Sequence, residues 1–108
     1  MQWAEVVRVH GGQAGVSVRS GRVSSLLVAK GSGHENQIVG DELLYAVPNR
    51  PSYRVALAAL RESATAGASF RVFRKRRQND WEDIGPHCVI EASERDGVVY
   101  FRLRRAAS

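Results

Sequence analysis

The sequence predicts a β-dominated α+β domain, in which about six short strands form a strongly curved sheet or small barrel packed against one helix. Three observations carry this. Apolar and polar residues alternate in short runs, the period of a half-buried strand. Turn-forming residues separate the runs, among them Ser20-Gly21, Gly40-Asp41 and Arg95-Asp96-Gly97. One stretch, opening near Pro51, instead spaces its apolar residues helically. So many short strands do not suit a parallel α/β fold, and curving one sheet around a helix buries them most economically.

The elements follow in order. Trp3 to His10 is predicted as a first strand, ended by Gly11-Gly12. Val16 and Val18 alternate with polar neighbours and lead through Ser20-Gly21 into a strand from Val23 to Lys30. Residues 31–36 have loop composition. Ile38 precedes the Gly40-Asp41 turn, and Glu42 to Val47 reads as a strand. Pro48 and Pro51 interrupt it, after which Ser52 is expected to cap a helix running to about Thr65. Tyr53, Ala56, Leu57 and Leu60 are assigned to its buried face, and Gly67 stops it. Ser69 to Lys75 returns as a strand, with Phe70 and Val72 on one face and Arg71 and Phe73 on the other. Asp80, Glu82 and Asp83 read as a solvated acidic turn. The last two strands are His87 to Ser93 and Val98 to Arg104.

With 108 residues and no repeat or linker, the chain is expected to form a single domain over residues 1–108. No apolar run reaches the roughly 18 residues of a membrane span, and the first residues do not resemble a signal peptide. Cys88 is the only cysteine, which excludes an internal disulfide and fits a reducing, cytoplasmic location. Its apolar neighbours Val89 and Ile90 suggest a buried, structural thiol.

The net charge of +5 makes a polyanionic partner plausible. Only Lys30 and Lys75 of the 16 basic residues are lysines. Arginine's planar fork suits phosphates and guanine edges, although a GC-rich genome would also enrich it. Position therefore decides. Arg71, Arg74, Lys75, Arg76 and Arg77 form one cluster and Arg104 and Arg105 a second. Lys30, Arg71, Arg74, Lys75, Arg76, Arg77 and Arg104 are the candidate phosphate-binding residues. The alternative for the first cluster is an edge strand protected by charge.

No catalytic constellation emerges. His10, His34 and His87 lie far apart without metal-ligand spacing, and Gly31-Ser32-Gly33 matches neither a phosphate-binding loop nor a dinucleotide fingerprint. The chain is accordingly read as a non-enzyme without metal or cofactor. The polar loop around His34, followed by Tyr45, suits recognition of a base by stacking and edge contacts.

Three passages resemble the SRA (YDG) domain family, particularly versions fused to McrA-like restriction endonucleases. Ser32 to Ile38 followed by Leu43-Leu44-Tyr45 is similar to the family's "GGYEDD…Y" segment. Ala58 to Ser63, Gly67 and then Phe70 to Lys75 resemble "AL..S...G.PVRVFR". Trp81 to Gly85, Val89, Asp96-Gly97 and Phe101-Arg102-Leu103 resemble "W.Y.GLY.V…DG…FRL". The resemblance covers residues about 32 to 104.

It implies a PUA/SRA-like barrel that flips a modified base out of double-stranded DNA. On this resemblance His34 and Tyr45 occupy the stacking positions, with one residue fewer between them than in the family. Gln37 stands where the family has the aspartate that accepts from the cytosine amino group. Ser32, Gly33, Glu35 and Asn36 complete the pocket loop. An amide both accepts and donates, so Gln37 leaves cytosine and adenine open, and modified cytosine (5-methyl or 5-hydroxymethyl) is the family's substrate. The implied role is targeting a restriction nuclease, HNH or other, on a separate or longer chain. The alternatives are an RNA-binding PUA/ASCH-like module or a nucleotide-directed enzyme using His34 and Glu35.

Overall fold

Turn chemistry sets most of the strand boundaries in the computed structural model, which describes residues 1–11, 15–29 and 37–106. In chain order the elements are helix α1 (Trp3–His10), strands β1 (Val16–Arg19), β2 (Arg22–Val28), β3 (Gln37–Val39) and β4 (Glu42–Pro48), a 3₁₀ turn at Pro51–Tyr53, helix α2 (Arg54–Ala66), and strands β5 (Ser69–Arg77), β6 (Asp80–Arg95) and β7 (Val98–Arg105). Ser20 and Gly21 close the β1–β2 hairpin, and Asp96 and Gly97 the β6–β7 hairpin, with positive φ at both residues of each pair. That is the geometry a two-residue hairpin requires to match strand twist.

The strands form one mixed sheet in the order β1-β2-β5-β6-β7-β4-β3. All neighbours are antiparallel except β2 and β5, where Leu26 lies beside Val72 and Leu27 beside Phe73. Among the described residues the ladder does not close into a barrel, and β1 and β3 are its edges. The sheet is nonetheless strongly curved. Residues of β1 and β4, distant in ladder order, line one cavity with α2.

Strand alternation explains the two apolar cores. Leu26 and Val72 face a large cluster with Leu57 and Leu60 of α2, while Leu27 and Phe73 face a smaller one with Val6 of α1 and Trp81. The β2–β5 pair is thus covered on both faces, as parallel strands usually are. Phe73 and Phe101 are fully buried, and truncating either to alanine would cost roughly 3–5 kcal/mol.

Helix α1 corrects the strand expected at Trp3 to His10. Its inward residues are Trp3, Val6, Val7 and His10, a helical spacing that the valine-rich composition disguises. Gly11 does not end a strand. It takes a left-handed φ of 85° and donates its N–H to the Val7 carbonyl, closing the helix. Eight residues make a marginal helix in water, so its partners are distant. Trp3 packs on Trp81 with ring centroids 5.2 Å apart. The Trp3 N–H donates to Oδ1 of Asn79 at 2.7 Å, a cap supplied by the β5–β6 turn. Buried His10 hydrogen-bonds the Ser25 hydroxyl.

Two further readings change. Ser52 makes no cap to α2. The chain enters through the 3₁₀ turn, and Tyr53 stands at the helix boundary. Gly67 does stop α2, donating to Ala64, while Ala68 donates to Ser63. The supposed acidic turn at Asp80 to Asp83 is the start of β6, a 16-residue strand with bulges against both neighbours. Trp81 points inward there, and Glu82 lies directly across from Arg74.

Candidate nucleic-acid interface

Lys30, Ser32, Gly33, His34, Glu35 and Asn36 lie outside the described residues. Gln37 opens β3, its backbone in register with Leu44, one residue before Tyr45. The backbone thus brings two of the three predicted pocket positions, Gln37 and Tyr45, onto neighbouring strands.

Tyr45 sits on β4 across from Phe101 of β7, inside the main core. Burial, with a smaller contribution from nearby Tyr53, pushes its phenol up to about 12. The ring forms part of the wall of a cavity of about 490 Å³, whose other walls include Gly15, Val16, Val18, Tyr53 and Val55. That volume falls in the range of roughly 300–1,000 Å³ typical of small-ligand sites. Gly15 is small for a spatial reason, since a Cβ there would stand 3.0 Å from the Tyr45 hydroxyl oxygen.

Tyr53 was assigned to the buried face of the helix. The structure puts it elsewhere. It ends the 3₁₀ turn, is 41% exposed and shares the cavity with Tyr45, which is only 8% exposed. The aromatic surface open to a ligand is therefore mostly that of Tyr53. Sequence reasoning missed this role because Tyr53 also fits the helical spacing of Leu57 and Leu60. The available signal was Pro51, two residues earlier, which favours a tight turn before the helix proper.

The basic strand is paired within the chain. Arg74 reaches Glu82 at 2.7 Å, Arg76 and Arg77 reach Asp80 at 3.1 and 3.0 Å, and Arg71 reaches Asp83 at 3.4 Å. The Arg74 hydrogen bond draws Glu82 below its usual value, and those of Arg77 and then Arg76 do the same for Asp80. Four arginines thus share three carboxylates, while Lys75 lies across from Trp81 and lines a groove with Trp3. Arg104 shares Glu42 with Arg102, at 3.1 and 3.3 Å, and Arg102 also meets Glu91 at 2.7 Å. Hydrogen bonding from Arg104 is the main cause that lowers Glu42.

Cys88 is half-buried, and its thiol lies 3.7 Å from the Arg104 carbonyl, so the buried thiol expected from sequence is corrected. Strand alternation turns it away from the core residues His87 and Val89 on either side. His87 is buried, its Nδ1 paired with the Gly85 carbonyl, and burial lowers its pKa. Among the described residues no three His, Cys, Asp or Glu side chains are grouped to hold a metal ion, and no helix is long and apolar enough to cross a membrane.

No sequence-family profile matches the chain, and no curated protein matches it by sequence. Solved structures do match it by shape. The SUVH5 SRA domain, in a complex with fully methylated CG DNA, superimposes with a TM-score of 0.78 at 20% identity, covering 100% of this chain and 86% of that one. The chain has the SRA fold. Arabidopsis thaliana SUVH6, in two forms with SAM, matches this SRA fold with TM-scores of 0.77 and 0.74 at 20% and 21% identity. The present chain spans about a quarter of the SUVH6 length, 25% and 24% in the two forms.

Proposed function

We propose that this chain is a DNA-binding module that recognises a modified base, with modified cytosine the leading substrate, by accepting the flipped base in the cavity between Tyr45 and Tyr53. The observation that carries the reading is this cavity itself, a largely apolar space with two tyrosines, walled by β1, β4 and α2 in an SRA fold. An extruded base is held by stacking and read along its Watson–Crick edge. Tyr53 offers the accessible ring, Tyr45 the buried wall, and His34 and Gln37 are assigned the second stacking face and the edge contact. The SUVH5 SRA complex with methylated CG DNA supports the substrate class.

The sequence resemblance to SRA versions fused to McrA-like endonucleases supports a targeting role, with the nuclease on a separate or longer chain. Duplex binding is assigned to basic side chains that contact phosphate, for which the sequence nominates Arg71, Arg74, Lys75, Arg76, Arg77 and Arg104, all but Lys75 of which already meet a carboxylate.

The test is binding at fixed salt to matched duplexes carrying cytosine, 5-methylcytosine, 5-hydroxymethylcytosine or N6-methyladenine. Unmodified duplex and structured RNA serve as competitors. Tighter binding to one modified DNA duplex is expected, reduced by Tyr53→Ala by roughly 1–3 kcal/mol if stacking operates. Equal affinity for all four duplexes would overturn the base-reading claim, and preferential capture of RNA would assign the module to RNA.

A further inference from the structure

The arginines predicted from sequence to hold phosphate already have partners. Three others, gathered along one side of α2, are placed differently. Arg50, Arg54 and Arg61 are exposed and line one groove of about 390 Å³ with Asn49, Leu57 and Ala58. Among the described residues none of the three forms an ion pair, whereas Arg71, Arg74, Arg76, Arg77, Arg102 and Arg104 all do. Asn49 of this groove donates a hydrogen bond to Glu94 at 2.9 Å, and no carboxylate is among the groove's lining residues.

Helix geometry aligns the set. Arg54, Ala58 and Arg61 follow one another at i, i+4 and i+7, so they lie along one stripe of α2. Arg50 stands just before the 3₁₀ turn and extends the stripe beyond the helix. Exposed Ala58 between two arginines leaves room for a chain of phosphates to approach. The groove and the tyrosine cavity are built from the same stretch of chain. Pro48, Ser52 and Tyr53 line the cavity, while Asn49, Arg50 and Arg54, interleaved with them in sequence, line the groove.

We propose that Arg50, Arg54 and Arg61 form the phosphodiester-binding track of this chain, holding the DNA strand whose base enters the tyrosine cavity. The proposal rests on the base-reading assignment for what the track serves, but its physical case is separate. A phosphate reaching Arg74 or Arg76 must compete with a carboxylate already in place, and one reaching Arg54 or Arg61 need not. Unengaged guanidinium groups offer their full bidentate fork to phosphate.

The experiment measures affinity for a fluorescent duplex with one central 5-methylcytosine, and for its unmodified match, across a salt series. Each lost phosphate contact removes about 0.9 from the slope of log K against log salt. The variant Arg50→Gln/Arg54→Gln/Arg61→Gln is expected to lose about 2–3 units of slope, and the corresponding triple lysine variant to keep it. Arg71→Gln/Arg74→Gln/Arg76→Gln is expected to change the slope by less than about one unit. The reverse pattern, with the β5 variant taking the slope and the groove variant leaving it intact, overturns the track. Slope dependence on the groove arginines confined to RNA duplexes overturns it as well. If the wild type does not distinguish methylated from unmodified DNA but the groove variant still loses slope, base reading fails and the track stands. Clear discrimination with an indifferent slope sinks the track alone.

Discussion

Tyr45 provides a direct test of the cavity's construction, because a phenol forming part of a buried wall must resist ionisation. The chain has three tyrosines, so Tyr53→Phe/Tyr100→Phe leaves Tyr45 as the only one. Burial is the larger cause of its shift from 10.0 to about 12, and loss of the Tyr53 hydroxyl removes only the smaller part. In the double variant phenolate absorbance is expected to appear well above pH 10. The sign follows from the neutral form being the one favoured in the folded state. The stabilisation is complete below the unfolded value of 10.0 and is lost as pH rises through about 12. Two units correspond to about 3 kcal/mol, an order-of-magnitude figure. Denaturant titrations at pH 9 and pH 11 should therefore show about half of that loss, with the rest following as pH rises through about 12, and Tyr45→Phe should abolish it. Phenolate formation near pH 10, with circular dichroism still native, would refute the buried placement and the cavity wall built on it.

Other outcomes follow from the same contacts. Gly15→Ala places a methyl 3.0 Å from the Tyr45 hydroxyl oxygen, and should cost roughly 1–2 kcal/mol by overpacking. Thermal melts should show that loss recovered by adding Tyr45→Phe. Asn79→Gly keeps the positive φ of 55° but removes the cap on Trp3. Losing that hydrogen bond should cost about 1 kcal/mol, and Asn79→Ala about 1 kcal/mol more through left-handed strain, both read by denaturation followed on tryptophan fluorescence. Asp80→Asn/Glu82→Gln/Asp83→Asn frees the β5 arginines and should tighten binding to unmodified duplex with a steeper salt slope. An unchanged slope would show that those arginines cannot reach phosphate even when released. The lowered values of Glu42, Asp80 and Glu82 give the same ion pairs an acid limit. Their contribution is present above the ordinary carboxylate values and is lost as pH falls through the depressed ones, which a stability series below pH 5 would show.

Much of the fold was legible because its signals are local. Ser20-Gly21, Asp96-Gly97 and Gly67 each act through their own backbone conformation, and each sits where the sequence predicts. Helix α1 was not legible, because its eight residues suit either periodicity and the groups deciding the matter, Asn79, Trp81 and Ser25, lie far along the chain. The polar start of β6 looked like a loop because its carboxylates are matched to arginines across a strand pair. At the candidate site Tyr45 was nominated by its place after a polar loop and by a family resemblance, while Tyr53's place in the cavity wall was hidden by its fitting a helical face. The groove arginines were missed for a different reason. Scattered singly through residues 50–61, they gather only when the chain turns and coils, whereas four consecutive basic residues announce themselves.

The parallel pairing of β2 with β5 bears on how this site comes into being. Leu26 and Leu27 must wait beside Val72 and Phe73 until the whole intervening chain has been made. That chain carries Gln37, Tyr45, Arg50, Tyr53, Arg54 and Arg61. Non-local pairings of this kind close large loops before any reward is gained, which slows folding toward the millisecond-to-second range. A peptide of residues 37–66 would hold these groups without the frame that sets their spacing. The candidate surface should thus emerge late and all at once during folding, not as a preformed fragment onto which the sheet is later added.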